Sequence, residues 1–357
     1  MKQIVEEGTT PVYDGETPSK PADDDYRYVF SGWSSDGGAT VCNTDTFPAV
    51  TGDITYTAQF TQKPKFFAKH SLTLDDGNIG VNFYIDPRGA DLTAEQITSG
   101  DKKIKIRFNW FDKTYTLTPN ELIAPHTGTN STDYFRATCR VAAAEMAYNI
   151  HAVAFIDNAE FTKEYDDYSV KQYGETILNA PEGTYNKQGL LVDLVKKMLD
   201  YGAKAQVQFD RQKDIDGTTV PLANVNADYT MESHVIGGDA PVMTVSEDTG
   251  LKYYGVSMVF LSTTTIRHYY KVLDKEKFDA LSNRSDFKQN GTLYYLETEG
   301  IRADMLDYQY TFTVGSKNYS YSGLDYARKL QGRSTTAEQN LGTATYWYST
   351  AADAYFA

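Results

Sequence analysis

The side chains best able to bind a metal ion or carry nucleophilic catalysis are spaced unfavourably for either role. No two histidines lie four residues apart, the spacing that places two imidazoles on one helical face for a zinc ion. The sequence has no Gly-x-Ser-x-Gly elbow, no cysteine in a known nucleophile context and no phosphate-binding loop. We therefore predict no catalytic residue, no metal site and no cofactor. The histidines are His70, His126, His151, His234 and His268.

Carboxylates are numerous but give no positive sign of an acid–base pair. Glycoside hydrolysis needs two carboxylates roughly 5–10 Å apart in a cleft. Among the 48 acidic residues, Glu145 and Asp304 are the best placed, because each precedes a Met in two related stretches. A structural role for both, as a cap or an ion-pair partner, is the favoured interpretation.

Two short acidic stretches resemble parts of a calcium loop. These are "LDDGN" at 74–78 and "DIDG" at 214–217. Neither continues to the bidentate Glu at the twelfth position that the full pattern requires. We interpret both as Asp/Gly turns, and leave calcium binding elsewhere in this acidic chain open.

Aromatic residues are the more promising candidates for ligand binding. The chain has 28 Tyr, 17 Phe and 3 Trp, and exposed rings of this kind can stack on sugars. Consecutive residues of a strand point to opposite faces, so one ring of each Tyr-Tyr pair is expected to face outward. Core packing is the alternative, and it is favoured for any single ring. The candidate ligand-binding residues are Trp110, Tyr269, Tyr270, Tyr294, Tyr295 and Trp347.

Composition narrows the class of protein and its partners. The abundance of Tyr, Phe and Thr favours β structure. The net charge of −14 argues against nucleic acid or an anionic membrane as a partner, and favours a monomer that stays in solution. No apolar run approaches the ~20 residues of a membrane span, so we predict no membrane insertion.

The cysteines and the N-terminus indicate the setting of the chain. Cys42 and Cys139 lie far apart in sequence, which leaves a single disulfide open but favours two lone thiols. The opening "MKQIVEEGTT" lacks the apolar core of a signal peptide. We expect the chain to be a segment of a larger protein.

Residues 1–62 are predicted to form a small β unit. "YRYVFSGWS" (26–34) and "DITYTAQF" (53–60) alternate apolar and polar positions, and turn signals separate them. With "EEGTTPVYDG" before them and "PAVTGDITYTAQF" at the end, these blocks resemble the internalin-type B repeat. The resemblance implies a β-grasp-like module in a cell-surface or secreted protein, without catalysis. "TQKPKFFAKH" (61–70) is then expected to be a linker.

Residues 67–209 are predicted to form an antiparallel β-sandwich closed by two helices. Strand-like segments at 70–74, 79–85, 103–110, 113–119, 133–141 and 150–156 are separated by turn residues. The period then changes to that of a helix. In "YSVKQY" (168–173), Ser169 is a predicted N-cap, Gln172 completes a capping box, and Tyr168 and Tyr173 occupy the positions of a hydrophobic staple.

Residues 235–357 repeat this plan, and we call the two segments the first copy (67–209) and the second copy (235–357). Four blocks recur in the same order, which indicates a tandem duplication. Residues 210–234, the connector, are expected to be a linker or a lid, and 274–287 an additional helix in the second copy. The matched pairs are Gly80 with Gly255, Glu145 with Asp304, Tyr168-Ser169 with Tyr321-Ser322, and Tyr201 with Tyr348.

The duplicated segments also resemble modules of surface proteins from Gram-positive gut bacteria. The resemblance rests on "HSLTL…GNIGVNFYI", "RVAAAEM" and "YSVKQYGETIL", and it implies no established activity. The sequence thus predicts a mainly β (α+β) chain with a β-grasp-like domain followed by two duplicated sandwiches.

The predicted function is that of a non-enzymatic extracellular module of a bacterial cell-surface or cell-wall protein. It would serve adhesion, act as a spacer or bind a host or cell-wall glycan or a protein. The alternative is a carbohydrate-binding module, or a hydrolase with an unrecognised acid pair.

Overall fold

The computed structural model describes residues 3–43, 47–74, 77–123, 134–260 and 263–357. The fold is mainly β, with antiparallel sheets and a smaller share of helix, as predicted. Cys42 and Cys139 are free thiols. Among the helices in the described ranges, none is long and apolar enough to cross a membrane.

The N-terminal unit is built on an antiparallel pair, β1 (Tyr26–Ser34) and β2 (Thr57–Pro64). Strand β1 has the predicted bounds, whereas β2 begins four residues later than predicted. The pairing is interrupted by a bulge at Ser31, and Gly32 next to it has φ +137°. A Cβ there would lie 2.6 Å from the carbonyl oxygen of Cys42, so the close chain approach requires glycine.

The predicted linker at 61–70 is wrong. Strand β2 continues to Pro64, and the first strand of the next unit begins at Phe67. Between them, Phe66 is completely buried and its backbone N–H donates to the Glu164 carboxylate at 2.8 Å. The two aromatic residues of "KFF" are core residues that anchor the next sheet.

The first copy is a sandwich of two antiparallel sheets followed by two helices. One sheet has the order β3-β4-β7 and the other β10-β8-β5-β6, with β9 beside β8. Phe83 and Phe108 meet across the sandwich with ring centroids 5.0 Å apart. The elements are β3 (Phe67–Thr73), β4 (Ile79–Ile85), α1 (Ala94–Thr98), β5 (Ile104–Trp110), β6 (Lys113–Leu117), β7 (Phe135–Val141), β8 (Ile150–Ile156), β9 (Ala159–Glu160), β10 (Asp166–Tyr168), α2 (Val170–Leu178) and α3 (Gln188–Gln208).

The second copy keeps the larger plan but has a smaller second sheet. Its sheets have the orders β11-β12-β14-β13 and β15-β16. The additional helix predicted at 274–287 is only one turn long, although Asp274 caps it as expected. The elements are β11 (Leu251–Val259), β12 (Thr265–Val272), α4 (Lys275–Asp279), β13 (Lys288–Asn290), β14 (Leu293–Thr298), β15 (Tyr310–Val314), β16 (Lys317–Tyr321), α5 (Gly323–Gln331) and α6 (Thr336–Phe356).

Strand pairing fixes how the two copies correspond. The hairpins β3–β4 and β11–β12 each carry a bulge five residues before the end of their first strand, at Ala68 and Tyr254. This register makes Tyr84 equivalent to Tyr269. It also shows that the predicted match of Gly80 with Gly255 is wrong, because Gly80 lies in the second strand of its hairpin and Gly255 in the first.

The two glycines also serve different purposes. A Cβ on Gly80 would lie 2.2 Å from the carbonyl oxygen of Cys139 on β7, whereas one on Gly255 would meet nothing within 4 Å. Only Gly80 is required by close packing of neighbouring strands.

The repeated "YS" segments have the same local structure in both copies. Ser169 and Ser322 cap α2 and α5 by accepting from the backbone N–H of Gln172 and Asp325. The capping box is complete only in the second copy, since the Gln172 amide oxygen accepts from the Ser169 hydroxyl instead of the backbone.

The last tyrosine of each segment attaches its helix to the edge of the first sheet. The Tyr173 hydroxyl hydrogen-bonds the backbone of Leu72, and the Tyr326 hydroxyl that of Met258. Leu72 and Met258 are equivalent in the register of the two hairpins. The repeated motif therefore positions helix against sheet in the same way twice.

The two copies pack together through their long helices. Tyr201 of α3 and Tyr348 of α6, a pair matched in sequence, stack on each other with centroids 5.0 Å apart. Both rings belong to one hydrophobic cluster that includes residues of both copies. A Cβ on Gly202 would lie 2.6 Å from the Met146 sulfur, so this glycine lets α3 approach the end of the first sandwich.

The connector is packed against the protein and is neither a free linker nor a lid. The Lys171 ammonium donates to the carbonyls of Leu222 and Ala223 at 3.1 Å. The Ala223 N–H donates to the Gln206 side chain at 2.7 Å. A buried lysine bonded to carbonyls fixes the path of this segment.

The equivalence of the copies leads to a prediction about His268, which occupies the position of Phe83. His268 is 2% exposed, and its Nδ1 lies 3.2 Å from the Tyr253 hydroxyl. Burial, and then the charge of Lys329, lower its pKa to about 3. A pKa below the ordinary value of about 6.5 means that stability is full above pH 6.5 and falls as the pH drops toward 3.

His268→Phe is therefore expected to remove part of the acid sensitivity of the fold. Protonation would cost the wild type about 2 kcal/mol at pH 5 relative to pH 7.5. Urea denaturation at both pH values measures the difference, with His151→Gln, a change at a half-buried histidine, as the control. An equal loss in the wild type and in His268→Phe would contradict the prediction.

Candidate functional site

Four of the six candidate aromatic residues are bonded to, or packed against, other parts of the protein. Trp110 is 8% exposed, and its Nε1 donates to the Glu145 carboxylate at 3.0 Å. Trp347 donates from Nε1 to the carbonyl of Glu232, so it holds the connector against α6. Both indole N–H groups are therefore bonded within the protein.

Tyr270 and Tyr294 face the interior of the second copy. Tyr270 is completely buried against Phe287, with ring centroids 5.5 Å apart. Tyr294 packs on Phe278 at 4.7 Å and lies beneath the Arg284 guanidinium. These are core roles, the favoured alternative for any single ring.

Tyr269 and Tyr295 point to the opposite side of the sheet, as the alternation of a strand requires. They are directly opposed on β12 and β14, with ring centroids 5.5 Å apart and an interplanar angle of 41°. Both are half-buried. The outward-facing half of each Tyr-Tyr pair thus forms one cross-strand aromatic pair.

A third tyrosine, which the sequence analysis missed, lies on the same side. Tyr254 occupies the bulge of β11 and is 70% exposed. Gly255 follows it and is the cross-strand neighbour of Tyr269, so this position of β11 places no side chain against the ring. We call this outward side of β11, β12 and β14 the tyrosine face. The "YYG" at 253–255 was the signal that could have revealed it.

Charged side chains border the tyrosine face. The Arg267 guanidinium lies 5.2 Å from the Tyr295 ring centroid and donates from Nε to Glu297 at 2.8 Å. Lys288 pairs with Glu297 and with Glu299. Partial burial alone would raise the pKa of Glu297, but the hydrogen bonds from Lys288 and Arg267 outweigh it and lower the pKa to about 2.

The first copy does not reproduce this surface. Ala68 stands at the position of Tyr254, and Arg136 opposes Tyr84 where Tyr295 opposes Tyr269. The Tyr84 hydroxyl lies 3.1 Å from the Ser71 hydroxyl. The scaffold is shared, but the aromatic face belongs to the second copy.

The two carboxylates matched in sequence are not equivalent in the structure. The Lys171 N–H donates to the Met146 carbonyl and the Leu324 N–H to that of Leu306, so Glu145 corresponds to Met305. Both carboxylates have structural partners. Glu145 is fully buried and accepts from Trp110, from the Lys113 ammonium at 2.5 Å and from the backbone of Ala142. Asp304 pairs with Arg302 at 2.5 Å. Burial, followed by the charges of Asp307 and Asp304, raises the pKa of Asp353 to about 6.

The two stretches that resemble calcium loops were interpreted as Asp/Gly turns. "DIDG" at 214–217 is a turn in which the Asp216 carboxylate accepts from the Thr218 N–H. Residues 75 and 76 of "LDDGN", and His126, lie outside the described residues. Within the described ranges, no group of three or more His, Cys, Asp or Glu side chains is arranged to hold a metal ion.

Comparison with known families identifies the first unit. Residues 4–64 match the model of the divergent InlB B-repeat domain. The N-terminal unit is thus similar to the InlB-type repeat, as the sequence predicted. Such repeats are bacterial surface domains. Searches of curated proteins and of solved structures gave no significant match.

The core role of Tyr270 yields a prediction. Its buried hydroxyl has no hydrogen-bond partner among the described residues, whereas the hydroxyl of neighbouring Tyr253 bonds His268. Tyr270→Phe is therefore expected to leave the free energy of unfolding unchanged or raise it by up to about 1 kcal/mol. Tyr253→Phe, the matched control, should lower it by about 1 kcal/mol. Urea denaturation at pH 7.5 tests this, and a loss in Tyr270→Phe as large as in Tyr253→Phe would contradict it.

Proposed function

We propose that this chain is a non-enzymatic, glycan-binding module of a bacterial surface protein. The observation that carries the proposal is the outward-facing pair Tyr269–Tyr295, with ring centroids 5.5 Å apart, on the first sheet of the second copy. The cores of both copies are complete without these rings, which lie on the other side of the sheet from Tyr270 and Tyr294. An aromatic surface of this kind suits a partner with apolar faces.

A sugar suits the chemistry of this surface better than a purely apolar ligand. The C–H face of a pyranose can stack on a tyrosine ring, and the ring hydroxyl can bond sugar hydroxyls. Arg267 and Glu297, held together at 2.8 Å, place a rigid set of donors and acceptors beside the rings. A sheet face is also open at both ends, so a polymer can extend beyond the rings.

The surface location is supported by the InlB-type repeat at residues 4–64. In this proposal the chain is extracellular or attached to the cell wall, and it acts as a monomer. The repeat joins the first copy through the buried Phe66, and Arg27 of β1 lies 3.7 Å from Glu164. The repeat would hold the sandwiches in a fixed orientation as a spacer, while the second copy binds the ligand.

The non-enzymatic part of the proposal rests on the use of the carboxylates. Glu145 has no exposed surface, and Asp304 is bonded to Arg302. Glu297, the acid nearest the tyrosine face, is held ionised by two cations and so is poorly suited as a general acid near neutral pH. Asp353, whose raised pKa of about 6 would suit an acid, lies on α6 beside Asp304 and Asp307, away from the sheet that carries the tyrosine face.

The test is binding of immobilised polysaccharides at near-physiological salt by the whole chain. Tyr269→Ala and Tyr295→Ala are each expected to weaken binding at least tenfold, because each removes a stacking surface worth about 1.4 kcal/mol or more. Tyr84→Ala, at the equivalent position of the first copy, is the matched control and should bind like the wild type.

Two results would contradict the proposal. Binding that is equally affected by Tyr84→Ala and Tyr269→Ala would remove the tyrosine face from the function. Turnover of a bound glycan that is lost in Glu145→Gln or Asp353→Asn would show an enzyme instead of a binding module.

A further inference from the structure

The tyrosine face carries two neighbouring lysines, Lys252 and Lys271, without an acidic partner among the described residues. Lys252 on β11 and Lys271 on β12 are directly opposed in the antiparallel register. Both are exposed. Across the part of the chain that the structure describes, neither ammonium has an acidic partner within ion-pair distance. Like charges directly opposite each other destabilise a sheet, so the fold itself does not explain this pair.

The two lysines lie next to the tyrosine rings. Lys271 and Tyr269 are two residues apart on β12, so they share a face and lie about 7 Å apart along the strand. Lys252 lies two residues before Tyr254 on β11. A polymer lying across the rings would therefore reach both ammonium groups.

The other cations of this face are neutralised. Arg267 is paired with Glu297, and Lys288 with Glu297 and Glu299. Lys252 and Lys271 thus supply the positive charge left for a ligand there. They do so in a chain whose net charge is −14, so the local sign is opposite to that of the molecule as a whole.

The first copy shows that the lysines are not needed by the scaffold. Its register places Phe66 and Asp86 at the positions of Lys252 and Lys271. Phe66 is completely buried, and Asp86 caps a turn and pairs with Arg88. The same sandwich folds with neither cation, so the pair is specific to the face that carries the tyrosines.

We propose that the tyrosine face binds an acidic polysaccharide, with sugar rings on Tyr269 and Tyr295 and anionic groups of the polymer at Lys252 and Lys271. This inference rests on the proposed function and adds the class of ligand. A bound anion neutralises the repulsion between the two lysines. Relief of this repulsion adds to the free energy of binding. Because the contact lies at an exposed surface, its contribution falls as salt rises.

The experiment compares polygalacturonate with its methyl-esterified form, which has the same backbone without the charge. The wild type is expected to bind the charged polymer at least tenfold more tightly at 50 mM salt, with a smaller difference at 300 mM. The double variant Lys252→Gln/Lys271→Gln should lose this preference and keep its affinity for the ester. Lys103→Gln is the control and should behave as the wild type. Lys103 is an exposed lysine of the first copy whose ammonium forms no ion pair within 4 Å among the described residues.

Sulfated dextran and single-stranded DNA distinguish the sources of negative charge. Tight binding of sulfated dextran with the same lysine dependence supports an anionic glycan as the ligand. It would show that a sulfate group can take the place of a carboxylate at the lysines. Binding of single-stranded DNA as tight as that of the polysaccharide would overturn the inference, since the face would then attract any polyanion.

The remaining outcomes separate this inference from the proposed function. Equal binding of the two polygalacturonate forms, lost in Tyr269→Ala but kept in the lysine variant, overturns the acidic ligand and retains glycan binding. Lysine-dependent binding that survives Tyr269→Ala and Tyr295→Ala overturns the proposed function. No binding of the charged polymer overturns the inference, and the ester and neutral polysaccharides then decide the function alone. The melting temperature of the lysine variant should not fall, which shows that the fold is intact.

Discussion

The stacking of Tyr201 on Tyr348 is the contact on which the architecture depends. Each ring comes from the long terminal helix of one copy, and the two occupy matched positions, so the duplicated units meet through equivalent surfaces. The Tyr201 hydroxyl also bonds Thr264 at the hairpin loop of the second copy. In the adjoining contact, the Thr264 N–H donates to the carbonyl of Gly77. Two small sandwiches thereby share one core, which neither copy could build to the same extent alone.

A shared core leaves the outer sheet faces free to diverge. In the interval where the first copy has β5 and β6, the second copy has α4, a short turn and β13. Asn283 of that turn donates to the Thr313 carbonyl and accepts from the Gly315 N–H at the margin of β15. Such side-chain bonds protect an exposed strand edge from unwanted pairing. The outer face of the second copy differs from that of the first in its exposed side chains. Tyr254, Lys252 and Lys271 contribute to neither core.

The sequence predicted the features that depend on local chemistry. Strand β1 and the caps at Ser169 and Ser322 follow from alternation and capping residues. The predicted match of Glu145 with Asp304 is wrong by one residue, because the short turns that hold them place Glu145 at the position of Met305. The predicted match of Gly80 with Gly255 is wrong because two similar stretches of sequence lie in different strands of their hairpins. The linkers at 61–70 and 210–234 were mispredicted because burial of Phe66 and Lys171 depends on distant partners that no local pattern reveals.

The candidate site was predictable only in part, for a related reason. Alternation implied that one ring of each Tyr-Tyr pair faces outward, which holds for Tyr269 and Tyr295. It could not show that Trp110 would bond the buried Glu145, or that Trp347 would hold the connector. Tyr254 was not among the predicted candidates, because a bulge changes the alternation of β11. A bulge depends on the pairing with β12, which the sequence of β11 does not reveal.

Native-state hydrogen exchange on Tyr348→Ala tests most directly whether the two copies share one core. The account predicts that amides of α3 in the first copy and of β12 in the second lose protection together, by about 3 kcal/mol in opening free energy. Tyr115→Ala, at an exposed position of β6, should change neither. Loss of protection confined to the second copy, with α3 unaffected, would show that each copy is stable by itself and would contradict the account.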